Sequence, residues 1–175
     1  MRALVVYESM FGNTKLVAEA IGRGLAARVP VEVFEGSTAP ETIRDDVELV
    51  GVGGPTHEFG LSSPRSRRSA ATQSTTGIIS EGKGVREWAA CLHPHASRLV
   101  FATFDTHIDK AWFPGAASKR LEKMLRSMGL RSLAAPTSFY VHDSTGPLVG
   151  GEMERAEMLG RRLGEELVAR HPSLA

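Results

Sequence analysis

Leu4-Val5-Val6-Tyr7-Glu8-Ser9-Met10-Phe11-Gly12-Asn13-Thr14 is the stretch on which the fold turns. Its first four residues are an unbroken apolar run with two β-branched valines, as expected of a central parallel strand covered on both faces. Residues 8–13 then make a short loop. From Thr14 to about residue 28, Leu16, Val17, Ala20, Ile21 and Leu25 recur at helical spacing, so a helix with one buried face follows the loop directly.

The same alternation runs outward along the chain. Residues 31–34 read as a second strand, 40–46 as a helical turn, and 47–52 as a third strand closed by Gly53-Gly54-Pro55. Ser63-Pro64 has the cap-then-first-turn order that starts a helix over 65–73. A helix over 85–92, a strand over 99–103 and a helix over 116–128 stopped by Gly129 come next. The fifth strand spans 138–141, with an earlier start near Leu133 interrupted by Pro136, and a helix over 152–170 closes the chain. Strand–helix alternation argues for an α/β fold, an open parallel sheet with helices on both faces. Such sheets bind ligands in the crevice outside the carboxyl ends of their strands.

The 175 residues amount to one domain, 1–175. With 42% hydrophobic and 23% charged residues, the chain has a globular composition. Its 21 basic and 20 acidic residues give a net charge of +1, which disfavours general nucleic-acid binding. The single cysteine, Cys91, excludes an internal disulfide framework and any multi-cysteine metal site. No apolar run reaches the roughly 18–20 residues of a membrane helix. The apolar start, residues 1–7, is too short for a signal peptide, so a cytoplasmic location is expected.

Three loops at strand ends hold the residues able to do chemistry. In the first, residues 8–14 offer hydroxyls, an amide side chain and backbone N–H groups ahead of a helix, with no Lys or Arg before Lys15. Such a helix start can hold a phosphate without a cationic side chain, or it is an ordinary βα turn capped by Asn13 or Thr14. It fits neither the Walker pattern nor the dinucleotide glycine pattern. The second loop, 53–60, has two glycines that let a ligand approach the backbone, hydrogen-bonding Thr56 and His57, and the flat Phe59, which either faces a ligand or tucks into the core. The third combines Thr103-Phe104-Asp105-Thr106-His107 with Trp112, a pocket wall or a core residue under the next helix.

These elements resemble the flavodoxins. The strand, the loop Glu8 to Thr14 and the following helix are similar to the flavodoxin phosphate loop, Gly53 to Gly60 to the second flavin loop, and Thr103 to Thr106 to the third. The resemblance covers nearly the whole chain in element order and is similar to flavodoxin-domain proteins of the actinobacterial type. It implies a flavodoxin-like doubly wound, five-stranded parallel sheet in the order 2-1-3-4-5, with FMN at the switch point. It implies that Ser9, Phe11, Gly12, Asn13 and Thr14 hold the FMN phosphate, with Met10 near the ribityl chain. Pro55, Thr56, His57, Phe59 and Gly60 would border the isoalloxazine; Thr103, Phe104, Asp105 and His107 would border its other side. Such a site needs no catalytic side chain, because the flavin carries the electrons; His57, His107 and His142 with Asp105 and Asp143 fit no recognised metal-ligand spacing, so no metal is expected. Flavodoxins flank the ring with a Trp and a Tyr; the candidates here are Phe59, Phe104 and Trp112. They also carry an acidic docking surface, against this chain's net charge of +1.

Two redox functions follow: electron transfer with a redox partner protein, or NAD(P)H-dependent reduction of a small acceptor such as a quinone. Arg65, Arg67 and Arg68 could meet an anion such as the NADPH 2′-phosphate or an acidic protein, or form a solvated helix face. The alternative from another class is a flavin-free binding or regulatory module on the same scaffold. A phosphorylated receiver is disfavoured, since Gly53-Gly54 stands where its Asp would be.

Overall fold

The computed structural model describes residues 1–56, 60–72, 77–93, 98–109 and 116–171. Strand β1 (Arg2–Tyr7) alternates its side chains between two cores. Ala3, Val5 and Tyr7 face one, Leu4 and Val6 the other, the period of two that a doubly covered strand requires. The first core is closed by α1 (Asn13–Ala26), with Val17, Ala18, Ile21 and Leu25 inward. Strand β2 (Val31–Glu35) pairs with one side of β1, and β3 (Val47–Pro55) with the other.

A helix α2 (Pro64–Thr72) follows β3. Its N-cap is Ser63, whose Oγ accepts the Ser66 N–H at 3.1 Å while Ser66 Oγ accepts the Ser63 N–H at 2.9 Å. This reciprocal pair satisfies two backbone donors at the helix entry. Next come α3 (Val85–Ala90), β4 (Val100–Ile108) and α4 (Ala117–Ser127), and α3 and α4 cover the second core with Val85, Trp88, Leu121 and Leu125. Two short strands, β5 (Arg131–Ser132) and β6 (Thr137–Val141), share the place beyond β4, and α5 (Glu152–Ala169) returns to pack beside α1.

Every pairing between these strands is parallel, in the order β2-β1-β3-β4, with β5 and β6 both paired to β4. The expected five-position sheet is present, its fifth position split in two. Pro136 lies in the gap, where a residue without an N–H cannot donate to a ladder. No described helix is long and apolar enough to cross a membrane.

Two expectations are corrected. Residues 40–46 form no helical turn. The Pro40 carbonyl accepts the Trp88 Nε1–H at 3.0 Å, Thr42 bridges to His93, and Ile43 enters the second core. Strand β4 does not end at residue 103, because Gly53, Gly54 and Pro55 continue the ladder opposite Phe104, Asp105 and Thr106. The expected third loop is therefore largely strand.

Helices α1 and α5 touch through glycines. A Cβ on Gly24 would sit 2.1 Å from the Glu157 carbonyl oxygen, and one on Gly160 2.1 Å from that of Ile21. Nothing flexible lies in the way, so backbones would have to separate. Gly160→Ala should cost about 1–3 kcal/mol in urea unfolding, whereas Gly150→Ala, with nothing within 4 Å, should stay within about 0.5 kcal/mol.

Candidate functional site

The ends of β1, β3 and β4 meet the start of α1 around a cleft of about 250 Å³. Gly12, at a φ of 95°, turns the chain into α1 in a backbone conformation that favours glycine. No side chain caps this helix, and its first turn holds no acid. The N–H groups of Phe11, Asn13 and Thr14 find no acceptor among the described residues. The helix thus presents free donors, and the positive end of its dipole, to the cleft.

The loop that carries these donors is held in shape from both sides. Ser9 Oγ accepts the Gly12 N–H at 3.1 Å, and the Ser9 N–H donates to Ser80 Oγ at 2.9 Å. The Ile79 and Ser80 N–H groups donate to the carbonyls of Met10 and Ser9 at 3.0 Å each. Met10 is buried in a small third apolar cluster with Ala70 and Ile78, and Phe11 packs against it. Thr14 Oγ1 lies 2.7 Å from Thr106 Oγ1, and Asn13 Nδ2 donates to the Thr145 carbonyl at 3.1 Å.

Among the described residues, the lining contains the hydroxyls of Ser9, Thr14, Thr56, Ser66, Ser69, Thr106 and Ser144, the apolar Met10, Phe11 and Pro55, and no carboxylate. Of the residues expected at the site, Ser9, Met10, Phe11, Asn13, Thr14, Pro55, Thr56 and His107 line this cleft. Gly12 shapes it from behind. Gly60 lies beside the Arg120 guanidinium, outside the lining. His57, Phe59 and Trp112 fall outside the described residues.

The β4 candidates need correction. Thr103 and Phe104 are buried below the cleft, and the Phe104 ring covers Gly53 so closely that a Cβ there would meet it at 2.2 Å. Phe104 is a core residue, not a flank for a ring. Asp105 is fully buried and anchors α4, accepting the Ser118 N–H at 2.8 Å and its hydroxyl at 2.6 Å. Its other oxygen lies 3.0 Å from His107 Nδ1, and so orients a ring that packs edge-on against Tyr140. Sequence reading gave no role to Ser66, Ser69 and Ala70 of α2, to Ile108, Val141 and Ser144 at the ends of β4 and β6, or to Thr106, which it named only as part of the third loop. The continued ladder that carries Thr106 and Ile108 to the cleft was the signal for two of them.

Arg67 also departs from expectation. It is buried, not offered to an anion, and grips Glu87 with two hydrogen bonds of 3.2 Å each. Its Nη1 donates to Ser62 Oγ at 3.0 Å and lies 3.8 Å from the carboxylate of Glu8, at the end of β1. Glu8 is fully buried, hydrogen-bonded by the Ser62 hydroxyl and by the Val85 N–H at 3.0 Å. Burial pushes the Glu8 carboxyl above the usual range, against those two hydrogen bonds and the Arg67 charge. Partial burial is the largest single influence on Glu87 and raises it, but the Arg67 hydrogen bonds and charge, together with the backbone N–H groups of Gly84 and Glu87, outweigh burial and hold Glu87 below the usual range. Arg67 is thus chiefly the partner of Glu87.

With this geometry in place, sequence comparison decides the family. The flavodoxin family model matches residues 5–161. The chain belongs to the flavodoxin family. Flavodoxin structures are also its neighbours in fold. One from the domain Archaea is 22% identical, with a TM-score of 0.65 over 96% of this chain and 99% of that one. Oxidised flavodoxin 1 from Bacillus cereus is 16% identical, with a TM-score of 0.66 over 98% and 99%. The flavodiiron protein from Giardia intestinalis is 16% identical, with a TM-score of 0.61, and matches 96% of this chain but 36% of its own. No curated protein sequence matches. Family and neighbours point to FMN as the cofactor. The flavodoxin-family cleft fits that group: unused helix donors suit a phosphate, and a hydroxyl-rich, acid-free wall suits a ribityl chain.

Two outcomes follow for the buried cluster in this flavodoxin-family chain. Arg67→Met strands one or both carboxylates and should cost about 3 kcal/mol or more in urea unfolding, while the exposed Arg65→Met should change stability by less than about 0.5 kcal/mol. A raised Glu8 pKa means its contribution to stability is fully present below the unfolded-state value and is lost as pH rises through the folded-state value. Denaturation from about pH 4 to about pH 7 should therefore shift the balance towards Glu8→Gln as pH rises. A pH-independent difference would contradict this.

Proposed function

We propose that this chain binds FMN in the β1–α1 cleft and works as an electron carrier that exchanges electrons with a partner protein. The observation that carries the reading is the uncapped, acid-free first turn of α1, opening into a hydroxyl-lined cleft. Bound there, FMN would supply one- or two-electron redox chemistry. The chain's own contribution is placement. The N–H groups of Phe11, Asn13 and Thr14, with the Thr14 hydroxyl, would receive the phosphate. Thr56, Thr106 and Ser144 offer hydroxyls along the cleft, and Met10 and Pro55 supply apolar wall. His57, Phe59, Gly60 and Trp112 remain candidates to border the ring. Asp105 acts through His107 by fixing its ring, and is a positioning residue.

NAD(P)H-dependent reduction of a quinone-like acceptor is the less supported of the two redox readings. Its main sequence support was the Arg65–Arg67–Arg68 group, and Arg67 is engaged with Glu87 and Glu8. The carrier reading needs no dinucleotide site. Potentiometry separates them: two well-spaced one-electron steps suit the carrier, and one two-electron step with fast turnover by NAD(P)H suits the reductase.

Binding itself is tested by a substitution that alters affinity far more than stability. Asn13→Asp puts a carboxylate on the open first turn. The FMN-free protein should change by less than about 1 kcal/mol, because the gain from an acid at the helix start is set against the lost Asn13 Nδ2 hydrogen bond to the Thr145 carbonyl. FMN affinity, read by flavin fluorescence quenching, should fall by about tenfold or more through like-charge repulsion. Unchanged affinity would place the phosphate elsewhere, and no uptake of FMN by the unsubstituted protein would favour the flavin-free module.

A further inference from the structure

The net charge of +1 conceals a segregation of charge around the cleft. Residues 60–72 include Arg65, Arg67 and Arg68 and no acid; residues 116–121 include Lys119 and Arg120 and again no acid. In the fold these spans flank one opening. Ser66, Ser69 and Ala70 of α2 line the cleft, which places the exposed Arg65 and Arg68 next to its rim. Opposite, the first turn of α4 is fastened to the cleft: the Ala117 N–H donates to Thr56 Oγ1 at 3.0 Å. The exposed Lys119, Arg120 and Lys123 follow on that helix. The Arg120 guanidinium lies against Gly60, where an added Cβ would fall 2.6 Å from Cζ.

Among the described residues, none of Arg65, Arg68, Lys119, Arg120 and Lys123 forms an ion pair. On the α1–α5 side, Arg23, Arg28, Arg155 and Arg161 are each paired with a glutamate. Among the described residues these cations by the cleft are thus left without counter-charges, whereas on the α1–α5 side four of six arginines are paired, Arg162 and Arg170 being the exceptions. Unpaired like charges on one rim repel each other, and a surface bearing carboxylates relieves that repulsion.

We propose that the α2–α4 rim is the docking face for an acidic redox-partner protein. This rests on the carrier reading, in which a partner must come close to the cleft to exchange electrons. A protein surface fits the rim better than a nucleotide does. Arginines recognise phosphates through convergent, fixed forks, and the α2 arginine held in such a geometry, Arg67, is engaged internally. The others are exposed side chains spread over two helices, a breadth suited to a protein interface. Their field reaches about 8 Å at physiological ionic strength and further at low salt.

The test uses FMN-loaded protein, reduced photochemically without oxygen, and two oxidised acceptors with the same haem: native cytochrome c, which is basic, and its succinylated, acidic derivative. Electron transfer is followed by stopped flow from about 10 to about 300 mM ionic strength. At low salt the succinylated form should react at least about tenfold faster than the native form, and its rate should fall as salt rises. Combined Arg65→Glu, Arg68→Glu, Lys119→Glu and Lys123→Glu should exchange the two salt dependences while FMN absorbance stays unchanged. Faster reaction with native cytochrome c, or wild-type salt dependence in the charge-reversed variant, overturns the proposal. So does a variant whose KM for NADPH rises with no change towards either cytochrome, since that makes the rim a dinucleotide site. A chain that takes up no FMN defeats the carrier reading on its own. Docking is then read by calorimetry as salt-sensitive binding of succinylated cytochrome c to the FMN-free protein, and absence of that binding overturns it.

Discussion

Helix α1 begins without a side-chain cap, and its first-turn N–H groups have to be satisfied by something. An Asp or Ser at position 12 would have met part of that need from within the chain. Gly12 instead supplies a positive φ and leaves the donors open. The cleft is arranged around this deficit. Among the described residues its lining is rich in hydroxyls and free of carboxylates, so none of them competes with an anionic ligand for the helix terminus.

Keeping such a loop in shape requires support from outside it, and the chain between β3 and α3 provides this. Ile79 and Ser80 hydrogen-bond to its backbone, and Ala70 and Ile78 pack on Met10. Below, Glu8 joins the end of β1 to Ser62 and to the amide that opens α3. Arg67 ties α2 to Glu87 of α3. A Cβ at Gly84 would meet Glu8 Oε2 at 2.3 Å and Arg67 Nη1 at 2.6 Å, so the cluster is closed as well as buried. A buried arrangement of this kind adds little net stability compared with apolar packing, but removing one partner is costly. Its structural effect is to fix α2 at the cleft wall, and that in turn sets the exposed arginines of α2 at the rim.

The parts of the fold legible in sequence were those set by local pattern. A continuous apolar run marked β1, the valine-rich stretch 47–52 marked β3, helical spacing marked α1, α4 and α5, and Ser63-Pro64 marked the start of α2. Pro136 foretold the break that divides the fifth sheet position. Half of the expected site residues line the cleft, because the loop from Ser9 to Thr14 carries its chemistry in consecutive residues. What was not legible depends on distant partners. Thr103 to His107 reads as a polar loop until the ladder with Gly53 to Pro55 extends it as strand, turning Phe104 into the core and Asp105 under α4. Arg67 is indistinguishable from Arg65 and Arg68 in sequence, and Glu8 and Glu87 alone make it different. The helical turn over residues 40–46 failed for the same reason: Trp88 claims the Pro40 carbonyl.

In the proposed binding mode the phosphate of FMN meets the open start of α1. Backbone amide NMR of the FMN-free protein, titrated separately with FMN and with riboflavin, tests it most directly. The two ligands share the ring and the ribityl chain and differ in the phosphate. The expected result is that the amides of Phe11, Asn13 and Thr14 shift strongly with FMN and little with riboflavin. Equal shifts with both ligands, or FMN-specific shifts confined to other parts of the chain, would contradict it.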